Sequence, residues 1–96
     1  MATATRNKIK LAKEQCFLHY HMVIDNLYNS NGNIIGESFG VEVALCNTVG
    51  RIVEYKKIHD ITVFSSNAMD LLLLLAQGQV TPYVLDEVVS EYLAAH

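Results

Sequence analysis

The sequence predicts an α+β domain: an antiparallel meander of three to four strands followed by two C-terminal helices packed on one face. Three observations predict it. Polarity alternates with period two from Cys16 onward, an Asn-Gly pair then interrupts the chain, and the apolar period lengthens to that of a helix beyond Phe64.

The first strand is expected near Cys16–Tyr28. Cys16, Leu18, Tyr20, Met22 and Ile24 fall on one face, while Phe17, His19, His21, Val23 and Asp25 fall on the other. The first set is the inward one. "NSNGN", Asn29 to Asn33, supplies a hairpin turn through its Asn-Gly pair. The return strand, near Ile34–Cys46, turns Phe39, Val41, Val43 and Leu45 inward and Ser38, Gly40, Glu42 and Ala44 outward. Gly36 and Gly40 mark either a bulge or a place where the outer face is crossed closely. After "NTVG", Asn47 to Gly50, a third strand runs from Arg51 to Lys57 with its facing undetermined. "HDITVF", His59 to Phe64, reads as a short strand with Ile61 and Val63 inward, either a fourth strand or a bent extension of the third. Links this short favour antiparallel order.

"SSN", Ser65 to Asn67, offers N-caps for a helix near Asn67–Gln77, with Asp70 in its first turn and Gly78 as its C′ residue. Thr81 as N-cap and Pro82 at the first helical position open a second helix near Pro82–Ala94. Its apolar stripe is Leu85, Val88, Val89 and Tyr92; Asp86, Glu87, Ser90 and Glu91 form the polar side. The run Leu71 to Leu75 is harder to accommodate, because a helix turns by about 100° per residue and five consecutive leucines cover its whole circumference. Ala68, Leu71, Leu72 and Leu75 are assigned to the sheet, and Leu73 and Leu74 flank away from it. A second surface must therefore cover the helix: the second helix or a second copy of the chain. The expected core is Leu18, Tyr20, Met22, Phe39, Val41, Val43, Ile61, Leu71, Leu72, Leu75, Leu85, Val88 and Val89.

Ninety-six residues make a single domain, here residues 15–96, preceded by a flexible basic arm over residues 1–14. The first thirteen residues hold Arg6, Lys8, Lys10 and Lys13 and no acid, whereas the chain from Glu14 onward carries three Lys/Arg against ten Asp/Glu. A net-acidic body repels a phosphate backbone, so nucleic acid is not the expected partner. No apolar run approaches the roughly 20 residues needed to span a bilayer, and no apolar segment follows the basic N-terminus to make it a secretory signal. Cys16 and Cys46 lack metal-knuckle spacing and read as thiols in a reducing cytoplasm.

Candidate chemistry is sparse. His19 and His21 project from one side of a strand as two of the ligands a metal needs, and Asp25, Glu42 or His59 could add to them, but no spacing is diagnostic. No glycine-rich elbow frames a serine and no phosphate-cradling loop is present, so neither catalysis nor a cofactor is expected. The reading that remains is a non-enzymatic protein-interaction module or small homodimeric adaptor, with Leu73, Leu74, Phe17, His19 and His21 as its surface. Its alternatives are a nucleic-acid-associated regulator using the basic arm, and a metal protein or enzyme centred on His19 and His21.

The segment "DITVFSSNAMDLLLLLAQGQVTPYVLDEVVSEYL" resembles the C-terminal part of a family of small uncharacterised proteins from low-GC Gram-positive bacteria, many of them clostridial. What is similar is "DI" closing the sheet, a polar cap, a leucine-rich helix, and then a pattern of Pro, Leu, acid-Val-Val and acid-aromatic-Leu over Val80 to Leu93. "ESFGVEV", Glu37 to Val43, resembles the same family's central strand. The likeness is weak before Gly32 and does not reach the N-terminal segment or "HYH". It implies a bacterial cytoplasmic setting and carries over no catalytic residue.

Overall fold

The computed structural model describes residues 5–11 and 14–95, with side chains over residues 15–95. Four strands, β1 (Thr5–Leu11), β2 (Glu14–Tyr28), β3 (Ile34–Asn47) and β4 (Ile52–Thr62), form one sheet in the order β1-β2-β3-β4, with every neighbour antiparallel. Helix α1 (Ser65–Gln77), a 3-10 turn (Pro82–Val84) and helix α2 (Leu85–Ala95) follow, packed on one face of the sheet. The fold is the expected α+β meander with two C-terminal helices.

Of the two readings left open for the segment after His59, the bent extension is the one observed. His59 to Thr62 prolongs β4 through a bend, and the additional strand comes from the N-terminal segment instead. Thr5–Leu11, expected as part of a flexible arm, pairs with β2 from Thr5↔Tyr20 to Leu11↔Glu14. The rest of that arm, residues 1–4 with Lys13, lies outside the described residues, as does His96. Arg6, Lys8 and Lys10 alternate with Thr5, Asn7, Ile9 and Leu11, a period-two pattern that a count of basic residues obscures.

Alternation along β2 and β3 sorts the side chains as expected. Cys16, Leu18, Tyr20 and Met22 join Phe39, Val41, Val43 and Leu45 beneath Ala68, Leu71, Leu72 and Leu75 of α1 and Leu85 and Val89 of α2. Ile61 and Val88, also expected in the core, are partly buried against it, while Val63 is exposed beyond the end of β4 and Ile24 stands at the edge of the core. The Tyr20 hydroxyl donates to the Val80 carbonyl at 2.9 Å, tying the link between the helices to the sheet. Lys56 Nζ reaches Asp86 Oδ2 at 3.1 Å and tethers α2 to β4.

Both hairpin loops are built alike, as Asn-x-x-Gly-x. The Asn29 side chain accepts from the Asn31 and Asn33 amides, and the Asn47 side chain accepts from those of Val49 and Arg51. Gly32 (φ 81°) and Gly50 (φ 84°) take the left-handed conformation that closes each loop. At the bend of β4, Phe39 pairs with Thr62 and Val41 with Ile58, so His59, Asp60 and Ile61 bulge past Gly40 alone. A Cβ on Gly40 would lie 2.0 Å from the Ile58 carbonyl oxygen, which is the close crossing anticipated for it. Gly36 lies instead beside a register shift, with Leu27↔Gly36 followed by Tyr28↔Ile34.

Two helix-end expectations need correction. Helix α1 begins at Ser65, two residues early, with Phe64 at its N-cap position, so Asp70 is not in its first turn. The left-handed residue at its end is Gln79 (φ 50°), not Gly78, which stays right-handed. The Val80 amide donates to the Leu75 carbonyl at 3.0 Å, and the Gln79 amide to that of Ala76 at 3.2 Å. This closing pattern puts the positive φ one residue beyond Gly78.

Candidate interaction surfaces

Two unrelated surfaces contain the residues singled out from the sequence. Leu73 and Leu74 stand on α1, in the helix layer, whereas Phe17, His19 and His21 lie on the outer face of the sheet, away from the helices. The five do not form one patch.

On α1, Leu71, Leu72 and Leu75 are at most 1% exposed, and their burial consumes the stripe that faces the sheet. Leu73 remains 49% exposed and Leu74 53%. Helix α2 therefore does not cover them, although the Tyr92 hydroxyl reaches the Asn67 carbonyl at 3.4 Å where the two helices meet. Beyond the N-terminal end of α1, the β2–β3 hairpin overhangs the rest of the molecule. Among the described residues β1 pairs with β2 only up to Tyr20, and β4 pairs with β3 only from Phe39. A half-open cleft of about 450 Å³ lies under the overhang, lined by Met22, Ile24, Glu37, Phe39, Ser65, Ser66 and Met69. Tyr28 and Ile34, paired across the hairpin, are exposed further out. A two-stranded ribbon of this kind is marginal by itself in water, and this one leaves apolar side chains uncovered.

The outer face of the sheet is polar and locally tied. Its centre is β3, where Ser38, Gly40 and Ala44 are small enough to be buried between the side chains of β2 and β4. Glu42 is the one long side chain in that row. It accepts from the Tyr55 hydroxyl at 2.5 Å and lies 3.5 Å from His21 Nδ1 and 3.7 Å from Lys57 Nζ. Further along, His59 Nδ1 meets Asp25 Oδ2 at 2.8 Å, and Ser38 Oγ donates to Asp60 Oδ1. Asp60 (φ 54°) is held left-handed by the bulge opposite Gly40, a conformation that aspartate tolerates better than most residues.

Glu42 holds Tyr55 in its neutral form. Donation to the carboxylate, helped by desolvation and by the negative charge itself, raises the phenol above its ordinary value of 10.0. Interaction with Tyr55 in turn raises Lys57, with a further contribution from the Glu42 charge. His21 faces Glu42, and Asp25 is paired with His59, but among the described residues no three His, Cys, Asp or Glu side chains converge on one point. Sequence reasoning named Glu42, Asp25 and His59 as possible partners of the histidines but missed Tyr55 and Lys57. Their positions depend on the β3–β4 register, which places Tyr55 opposite Ala44 and Lys57 opposite Glu42.

Among the described residues no helix is long and apolar enough to cross a membrane. The family model that matches is that of a family of unknown function, DUF6514, over residues 1–95. No curated protein matches the chain, and no solved structure does.

Proposed function

The chain belongs to DUF6514, a family of unknown function, and from that premise we propose that it is a non-enzymatic interaction module acting as a small homodimeric adaptor. The observation that carries this reading is the half-exposure of Leu73 and Leu74 on a helix whose other leucines are fully buried. A leucine on the flank of a packed helix gains by burial against a second surface, and a second copy of the chain supplies the same flank by symmetry. Each is about half covered already, so completing the burial of both yields roughly 1.5–3 kcal/mol before association costs. That is too little to hold a dimer alone. The apolar side chains under the β2–β3 overhang are the further area such an interface would draw on.

The setting belongs to the same reading. Cys16 is buried on the inner face and Cys46 lies on the outer one, both as free thiols, which fits a reducing bacterial cytoplasm.

The test is Leu74→Lys, followed by light scattering and circular dichroism. A dimeric parent and a folded monomeric variant support the interface. A parent that is monomeric at tens of micromolar, or a dimer indifferent to the substitution, sinks the homodimer.

A further inference from the structure

The sheet ends at β4, and that edge is open. In the order β1-β2-β3-β4 the strand pairs with β3 on one side, and among the described residues no strand lies on the other. A row of unpaired backbone amides and carbonyls is a template for a further strand, and such edges are commonly guarded by proline, by bulges or by lysines that project past them. β4 has few such guards. It contains no proline, and its register with β3 is unbroken from Leu45↔Glu54 to Val41↔Ile58, ahead of the bulge at His59 to Ile61. Lys56 is drawn to Asp86 at 3.1 Å and Lys57 toward Glu42 at 3.7 Å, so both are tied back to their own chain. Apolar side chains stand exposed along the strand at Ile52, Val53 and Tyr55. Beside it, Glu54, Tyr55, Pro82 and the exposed Tyr83 border a notch of about 290 Å³.

We infer that β4 pairs antiparallel with the β4 of a second copy, joining two four-stranded sheets into one. A two-fold axis through such a pair sets one residue opposite its own copy, and residues opposite one another share a face. Charge restricts which residue that is. An axis at Glu54, Lys56 or Lys57 sets a charge against its own copy, which destabilises a cross-strand pair. An axis at Tyr55 sets Glu54 opposite the partner's Lys56, and Lys56 opposite the partner's Glu54. Both positions belong to the inner face, because Glu54 pairs with Leu45 and Lys56 with Val43. Among the described residues Glu54 has no ion-pair partner of its own. Tyr55 meets its copy on the outer face, next to the notch at Tyr83. The segment Glu54-Tyr55-Lys56 is therefore its own complement, and this selects a second copy of the chain over an unrelated peptide. The inference rests on the reading of this protein as self-associating and adds a contact separate from Leu73 and Leu74. The α1 flank pairs two chains, and the β4 edge joins such pairs as concentration rises.

The experiment is sedimentation velocity over a range of concentrations on the Leu74→Lys protein, a background that removes the α1 contact. This protein should pass from monomer to dimer as it is concentrated. Adding Glu54→Lys or Lys56→Glu, each folded by circular dichroism, sets like charges opposite on both sides of the axis and should weaken that association by at least about tenfold. An equimolar mixture of the two variants restores unlike charges at both positions and should associate as their parent does. A merely structural effect of either substitution would not be rescued in this way. Should Lys56→Glu fail to fold for want of its contact with Asp86, hydrogen exchange is the second measurement: backbone amides of β4 should slow as the Leu74→Lys protein is concentrated. A Leu74→Lys protein that is monomeric at every concentration, association indifferent to Glu54→Lys, a mixture no better than its components, or β4 amides that do not slow would each overturn the inference. Association through Leu73 and Leu74 is judged separately, by the unsubstituted protein against Leu74→Lys.

Discussion

The two faces of the sheet are made of the same four strands and are organised by opposite means. On the inner face, alternate apolar residues of β2 and β3 meet two helices and are buried beneath them. On the outer face no element among the described residues covers the sheet, yet β3 is buried there too, because Ser38, Gly40 and Ala44 are small and their neighbours on β2 and β4 are not. One face depends on volume added, the other on volume withheld. The comparison teaches that a buried residue in this protein is not always a core residue. Ser38 is only 3% exposed, and its hydroxyl bonds to Asp60 rather than to anything in the apolar layer.

The inner face should be the more costly to damage. Leu72→Ala removes a side chain that is 1% exposed between α1 and the sheet, and the expected loss is about 2–5 kcal/mol by urea denaturation. A loss within experimental error would show that the helix is not docked as described.

On the outer face the damaging change is an addition. Gly40→Ala puts a Cβ 2.0 Å from the Ile58 carbonyl, a backbone atom that cannot swing aside, and should cost at least about 1–3 kcal/mol. Gly36→Ala sharpens the contrast, since nothing lies within 4 Å of a Cβ there and its φ is not left-handed. It should be neutral or stabilise by about 0.4–1 kcal/mol through the unfolded chain. Equal effects at the two glycines would refute the close crossing of β4.

The polar network predicts a titration rather than a large change in stability. Tyr55 has a raised pKa because its protonated form donates to Glu42. The stability contributed by that bond is complete below pH 10.0, the ordinary tyrosine value, and declines as pH rises through the folded-state pKa. Glu42→Gln should return the ionisation of Tyr55 toward 10.0, read from tyrosinate absorbance. An unchanged titration would mean that Glu42 is not its partner. The smallest effect is expected one residue from the largest. Leu73→Ala, at a site 49% exposed, should alter the stability of the isolated monomer by no more than about 0.5 kcal/mol.

Much of this architecture is local, and the local part was legible. Polarity alternation located β2 and β3 and their inward faces, because a strand places successive side chains on opposite sides whatever it packs against. Helical spacing separated Leu71, Leu72 and Leu75 from Leu73 and Leu74 for the same kind of reason. Thr81 and Pro82 marked the start of the second helical segment, where the 3-10 turn precedes α2.

What the chain alone left open were matters of register and partnership. Whether Arg6, Lys8 and Lys10 belong to a tail or a strand is undecided by their own sequence, since an edge strand forms only when a neighbour offers an open row of backbone groups. The same holds for β4. Its bulge at His59 to Ile61 brings Asp60 to Ser38 and His59 to Asp25, pairs separated by 22 and 34 residues that no spacing rule connects. Glu42, Tyr55 and Lys57 become one cluster only through the β3–β4 pairing, because a shift of one residue would turn Tyr55 and Lys57 to the other side. Residue types and local periods were therefore determined by the sequence itself. Which charges share a face was decided by tertiary structure, because strand pairing is set by the burial of the whole inner face and not by the polar residues it carries along.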